Sequence, residues 1–230
     1  AGCSRPGGPE PRDGLEVARR LAHHWPAAVA QLEPASAEDA LEPGPAGFVL
    51  PGAQRLRREP VPVLSGLLPA EASGELTLSC SGSAARSLTL TLEDAEPVSG
   101  GLRQGRVVYP AVLPQTELIA TADPGHLGLF FVLRGPAAPT RWTFATRAGP
   151  GLSLRTTSGG VEWVDGAGVT RLRLPEGSAR DASGAQLRVS VTATAQRVVY
   201  QLEGTPKAFP VLVDPIIEAA TSAYRAGEAG

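Results

Sequence analysis

Three histidines, two cysteines and 23 carboxylates are the side chains through which this 230-residue chain could do chemistry. His23 and His24 are adjacent, and neighbours on a helix point about 100° apart, so they cannot ligate one metal together. His126 follows Asp123 by three residues in Asp123-Pro124-Gly125-His126, a spacing that predicts a local turn hydrogen bond. Nucleophilic hydrolysis would need a partner such as the Gly-x-Ser-x-Gly elbow, which the chain lacks. Cys3 and Cys80 form no Cys-x-x-Cys pair, so zinc-site spacing is absent. Asp165-Gly166-Ala167-Gly168 and Asp181-Ala182-Ser183-Gly184 bring one carboxylate each, where a calcium loop of the EF-hand type needs several at alternate positions. They read as turns. Gly100-Gly101 and Gly149-Pro150-Gly151 lack the Lys-Ser/Thr and helix of a phosphate cradle. No pair of acids stands out as a glycosidase dyad. Trp142 and Trp163 could form a sugar-stacking platform, but in a chain with 5% aromatics they fit better as core side chains. No catalytic residue, metal ligand or cofactor site is therefore expected.

The N-terminus offers one chemical site. Ala1-Gly2-Cys3-Ser4 resembles the end of a bacterial lipoprotein signal box, which is cleaved before a cysteine that then carries the lipid. Ser4 to Pro11 is a Pro/Gly tether that supports neither helix nor sheet. Lipidation at Cys3 is the expectation; the alternatives are a disulfide to Cys80, or neither. Cys80 sits in the alternating run Glu75 to Cys80 and fits a small packed side chain.

Composition limits the partners. A net charge of -2, with 21 basic and 23 acidic residues, leaves no basic face for nucleic acid. No apolar run approaches the roughly 20 residues that span a bilayer, so membrane contact is expected only through a lipid anchor. Of the basic residues only Lys207 is lysine, and there is no methionine; the Arg, Ala, Gly and Pro bias points to a GC-rich bacterial genome and a processed or cut chain.

The elements that would position these groups are mostly strands. Asp13 to Leu32 reads as helix, with Asp13 and Glu16 as a capping box and Leu15, Ala18, Leu21 and Ala22 on one face. Pro26 breaks it, Ser36 and Asp39 could cap a further turn, and Glu42 to Pro45 reads as linker. From Gly47 the period changes from 3.6 to 2. Glu75–Cys80 and Ser87–Glu93 alternate cleanly, and Leu127–Arg134 is a nearly continuous apolar run, as in a strand covered on both faces. The expected fold is mainly β: an antiparallel β-sandwich of about a dozen short strands with a short N-terminal helical segment. The expected divisions are a tether over 1–12, a helical segment and linker over 13–45, the sandwich over 46–217, and a linker over 218–230.

Several words in the second half resemble a known module. Val107-Val108-Tyr109, Val112, Pro114 and Thr116-Glu117-Leu118 are similar to one segment of it. Leu127–Leu133 followed by Gly135-Pro136-Ala137-Ala138-Pro139 is similar to a later strand and turn, and Gly151-Leu152-x-Leu154 and Gly160–Gly168 to its hairpins. Phe209-Pro210-Val211-Leu212-Val213-Asp214-Pro215 is similar to its closing strand. The module is a β-sandwich of bacterial, myxobacterial-type surface proteins that precedes Rhs/YD-, FG-GAP- or propeller-type repeats. Gln115, Glu117 and Gly128 depart from its pattern. The resemblance implies an extracellular or outer-membrane location and a non-catalytic role of spacing, capping or presenting an adjoining repeat domain. A lectin-like module binding glycan or protein near Trp142 or Trp163 is the alternative, and a hydrolase with unrecognised carboxylates a third.

Overall fold

The computed structural model describes residues 13–23, 25–33, 40–50, 64–80, 84–123 and 125–219. Two helices, α1 (Gly14–Ala22) and α2 (Pro26–Leu32), come first. Among the described residues eighteen strands follow: β1 (Glu42–Gly44), β2 (Gly47–Val49), β3 (Leu64–Pro69), β4 (Leu76–Cys80), β5 (Ser87–Leu92), β6 (Gly101–Arg103), β7 (Arg106–Leu113), β8 (Thr116–Asp123) and β9 (His126–Leu133). The second half carries β10 (Arg141–Ala148), β11 (Ser153–Thr157), β12 (Gly160–Val164), β13 (Thr170–Pro175), β14 (Gly177–Asp181), β15 (Gln186–Thr194), β16 (Arg197–Glu203), β17 (Val211–Asp214) and β18 (Ile216–Ala219). The mainly β, antiparallel expectation holds.

The strand count exceeds a dozen partly because two long strands are each interrupted once. Glu176 separates β13 from β14, and Pro215 separates β17 from β18. Proline has no N–H to give a ladder, which breaks the pairing there. β9 nevertheless spans the break, pairing with β17 through Leu133↔Val211 and with β18 through Gly128↔Ile216. From β9 the sheet therefore divides. One arm runs β9-β17-β14-β15-β16-β10-β5-β4-β3-β2-β1, and the other β9-β18-β13-β12-β11. On its other side β9 continues through β8 and β7 to β6. The two ends of the sheet meet where Ala72 N donates to Val98 O at 2.9 Å and Gly100 N to Ala70 O at 2.8 Å. The sheet thus folds over on itself and encloses one large apolar core.

A second, smaller core lies on the outside of the sheet. Leu15, Ala18, Ala22 and Leu32 of the helices cover Ile119, Phe130, Val132 and Leu212. The alternate residues Phe131, Val211 and Val213 face the main core. This is the physical reason for the unbroken apolar run at Leu127–Leu133: β9 has no solvent face. Asp13 caps α1 as expected, accepting from Leu15 N at 3.0 Å, while Glu16 pairs with Arg20 at 2.7 Å. Gly14 is required by proximity, because a Cβ there would sit 1.9 Å from Glu117 Oε2. That carboxylate in turn accepts from Arg134 Nε at 2.6 Å and complements the helix N-terminus.

Two boundaries differ from expectation. Glu42–Gly44 is strand β1, paired with β2 through Pro43↔Phe48, and not linker. Ile216–Ala219 is strand, held by β9 and β13, so the sheet runs past 217 into the segment expected as linker. Both segments are too short, and too rich in Pro or Glu, to show alternation without their partners. The cap expected at Ser36 and Asp39 lies outside the described residues.

Candidate functional site

Most of the chemically capable side chains are built into the scaffold. Asp165 Oδ1 accepts from Ala167 N at 3.0 Å and Val169 N at 3.1 Å, and Oδ2 pairs with Arg171 at 2.6 Å. Asp181 Oδ1 accepts from Ser183 N, Ser183 Oγ and Ala185 N, and Oδ2 from Lys207 N at 2.8 Å. Burial alone would push the Asp181 carboxyl up, but the Ser183 hydroxyl and these backbone N–H groups outweigh it and hold it down at about 2. Both loops are turns, as their Asp-x-x-Gly spacing predicts.

His126 Nδ1 lies 2.7 Å from Asp123 Oδ1, which also accepts from Gly125 N at 3.1 Å. This is the local turn bond expected from the spacing. It raises the His126 pKa, while Asp123, pushed up by burial, is pulled lower overall by His126 and Gly125. His23 ends α1, and His24 lies outside the described residues. Gly149 and Gly151 are needed where two backbones meet, since a Cβ on either would fall 2.7–2.8 Å from Ala85 O. Trp142 and Trp163 are 1% and 2% exposed, so neither offers a stacking platform, and the lectin alternative loses the residues it was built on. Cys80 is buried in β4; Cys3 lies outside the described residues. No group of three His, Cys, Asp or Glu converges among the described residues, and no helix among them is long and apolar enough to cross a membrane.

Sequence reasoning missed two polar groups inside the fold. Glu162, 5% exposed, accepts from Arg155 and from Thr170 Oγ1 at 3.1 Å. Asp214 is 5% exposed, and its Oδ1 has no hydrogen-bond partner among the described residues. Burial pushes its carboxyl up to about 7. Nothing in local spacing marks either one, because the groups that pair with Glu162 and those that bury Asp214 come from other strands.

It also missed a groove. Outward residues of β10 alternate with the buried Trp142 and Phe144. Ala145 stands opposite Arg197 of β16, and Thr143 opposite Val199, itself opposite Thr192 of β15. Ala145 and Val199 are short and form a floor, and Arg141, Arg197, Glu93 and Thr194 border it in an open groove of about 790 Å³. Arg197 Nε donates to Glu93 Oε1 at 2.8 Å. Arg141 is exposed and has no carboxylate partner among the described residues. The face continues across β5 and β4 as Thr89, Thr91 and Thr77, with Arg147 paired to Glu75 at 3.0 Å.

The chain matches no family model, no curated protein and no solved structure.

Proposed function

We propose that this chain is a non-catalytic module of a bacterial cell surface, anchored through a lipid on Cys3, that spaces or presents an adjoining repeat domain. The observation that carries it is the engagement of Asp165 and Asp181, the loop acids that the sequence singles out, in closing their own turns. A general acid or nucleophile has to be positioned toward a substrate; these carboxylates are taken up by backbone N–H groups and by the Arg171 and Ser183 side chains. The order of similar words from Val107 to Pro215 supports the same assignment. The test is twofold. With its natural leader in a lipoprotein-competent bacterium the protein partitions into detergent, and Cys3→Ser releases it; an unmodified Cys3 in material from the native host overturns the anchor. Purified protein stays inert in EDTA across esterase, protease and glycosidase panels. An activity that is lost with His126, Asp165 or Asp181 overturns the non-catalytic assignment.

A second function on the same scaffold, ligand binding, is favoured by one observation: the groove over Ala145 and Val199 with Arg141 unpartnered at its rim. It moves the lectin-like alternative away from Trp142 and Trp163 to the opposite face of β10.

A further inference from the structure

We propose that the groove over β10, β15 and β16 binds a carboxylated polysaccharide, with Arg141 as the principal contact to its carboxylates. The inference rests on reading this outer sheet face as a binding surface.

Charge selects the class. Two guanidinium groups, Arg141 and Arg197, line the groove against one carboxylate, Glu93. Glu93 holds Arg197 through Nε at 2.8 Å, which leaves the Nη groups of Arg197 for a ligand. Arg141 has no carboxylate partner among the described residues. A guanidinium fork matches a planar carboxylate with two parallel hydrogen bonds, and such charge-assisted bonds are the strong ones.

The rest of the lining selects a hydroxyl-rich ligand. Thr192, Thr194 and Gln196 bring donors and acceptors to the groove, above the Ala145 and Val199 floor. A neutral glycan is disfavoured because its main handle, an aromatic face, is missing: Trp142, Phe144 and Tyr200 all point into the core. Peptides are usually captured at a free sheet edge, in an apolar helix groove or on aromatic ridges. The floor of the groove offers none of these: β16 is paired on both sides and Ala145 of β10 is held by both β5 and β16, while β15 has an open edge only over Ser190–Thr194, at the margin of the groove. The volume of about 790 Å³ falls within the range of small-ligand sites, so several sugar rings of a chain can lie in it.

The test is calorimetric titration of the full chain with polygalacturonate, with dextran and poly-glutamate as comparison polymers. Polygalacturonate is expected to bind saturably, more weakly as salt is raised. Arg141→Gln should weaken it at least tenfold, and Arg141→Lys should restore part of the loss. Ala145→Phe, which fills the floor and leaves the charge unchanged, should abolish binding with an unaltered melting temperature. Dextran binding of equal strength, poly-glutamate binding as tightly, or an Arg141→Gln protein with unchanged affinity each overturns the proposal. Absence of polymer binding in a protein that still partitions into detergent through Cys3 removes this inference and leaves the surface module standing. New reducing ends on the bound polymer would instead overturn the non-catalytic assignment and leave the ligand in place.

Discussion

The indole of Trp142 lies almost flat on the ring of Phe131, with centroids 5.1 Å apart and planes 15° apart. The two residues sit on β9 and β10, consecutive strands that share no ladder. The stack therefore crosses the core and joins the layers. Phe144 and Tyr200 extend it, with Phe144 6.5 Å from Phe131 and in edge contact with Tyr200 at 6.4 Å. A five-per-cent aromatic content suffices because four of these rings are concentrated at one crossing.

Trp142→Ala removes the largest fully buried side chain from that crossing. Loss of the ring plus the residual cavity should destabilise by about 3–5 kcal/mol, measured by urea denaturation. A loss below about 1 kcal/mol would mean that the layers are not joined there.

Val213 and Leu212 are both fully buried, though they point to opposite faces of β17. Val213→Asp and Leu212→Asp should each cost about 3 kcal/mol or more, since either brings an uncompensated carboxylate into apolar packing. Thermal melts read the effect. A one-sided strand would tolerate Leu212→Asp, and such tolerance would show that the helices do not cover it.

Removing residues 1–45 should leave a poorly soluble, less stable protein. It uncovers Ile119, Phe130, Val132 and Leu212, and it deletes β1 and the buried Leu41. Size-exclusion chromatography and hydrophobic-dye binding check this. A monodisperse fragment with the full-length melting temperature would show the helical segment to be dispensable.

Stability should respond to the proton on Asp214. Burial raises this carboxyl to about 7, above the unfolded value near ~3.9. Between those pH values the native state binds the proton and the unfolded chain does not. The contribution is therefore fully present below about 4 and is lost as pH rises through about 7. Asp214→Asn should match the parent at pH 4 and exceed it at pH 8 by on the order of 3 kcal/mol, measured in guanidinium melts. Equal stability of the two proteins at pH 8 refutes the buried charge.

Asp181 has the opposite sign. Its carboxyl is held at about 2, so its stabilisation is present above the unfolded value near ~3.9 and is lost as pH falls toward 2. Asp181→Ala leaves the N–H groups of Ser183, Ala185, Lys207 and Ala208 without their acceptor. A loss of about 2–4 kcal/mol at pH 7 is expected, shrinking in acid. A loss that does not change with pH would mean that the carboxylate charge plays no part.

The class of fold, its period and its turns were legible in the sequence because each depends on neighbours along the chain. Leu-Thr alternation in β4 and β5, the Asp-x-x-Gly turns and the Asp13 cap are set by backbone geometry within a few residues. The double-sided burial of β9 was legible too, as a run with no polar face. The groove was not. Ala145, Arg197 and Thr192 lie on three strands, and each alone reads as an ordinary outward residue; only the register that sets them side by side makes a floor and a rim. Trp142 could be placed in the core by frequency but not by pattern, and the other layer fixed its position by supplying Phe131. Asp214 has the same origin. Its neighbours announce a strand end before proline, but its pKa depends on desolvation by elements distant in sequence. Local periodicity determines which face a side chain takes. What it meets there depends on long-range pairing, which only the tertiary structure decides.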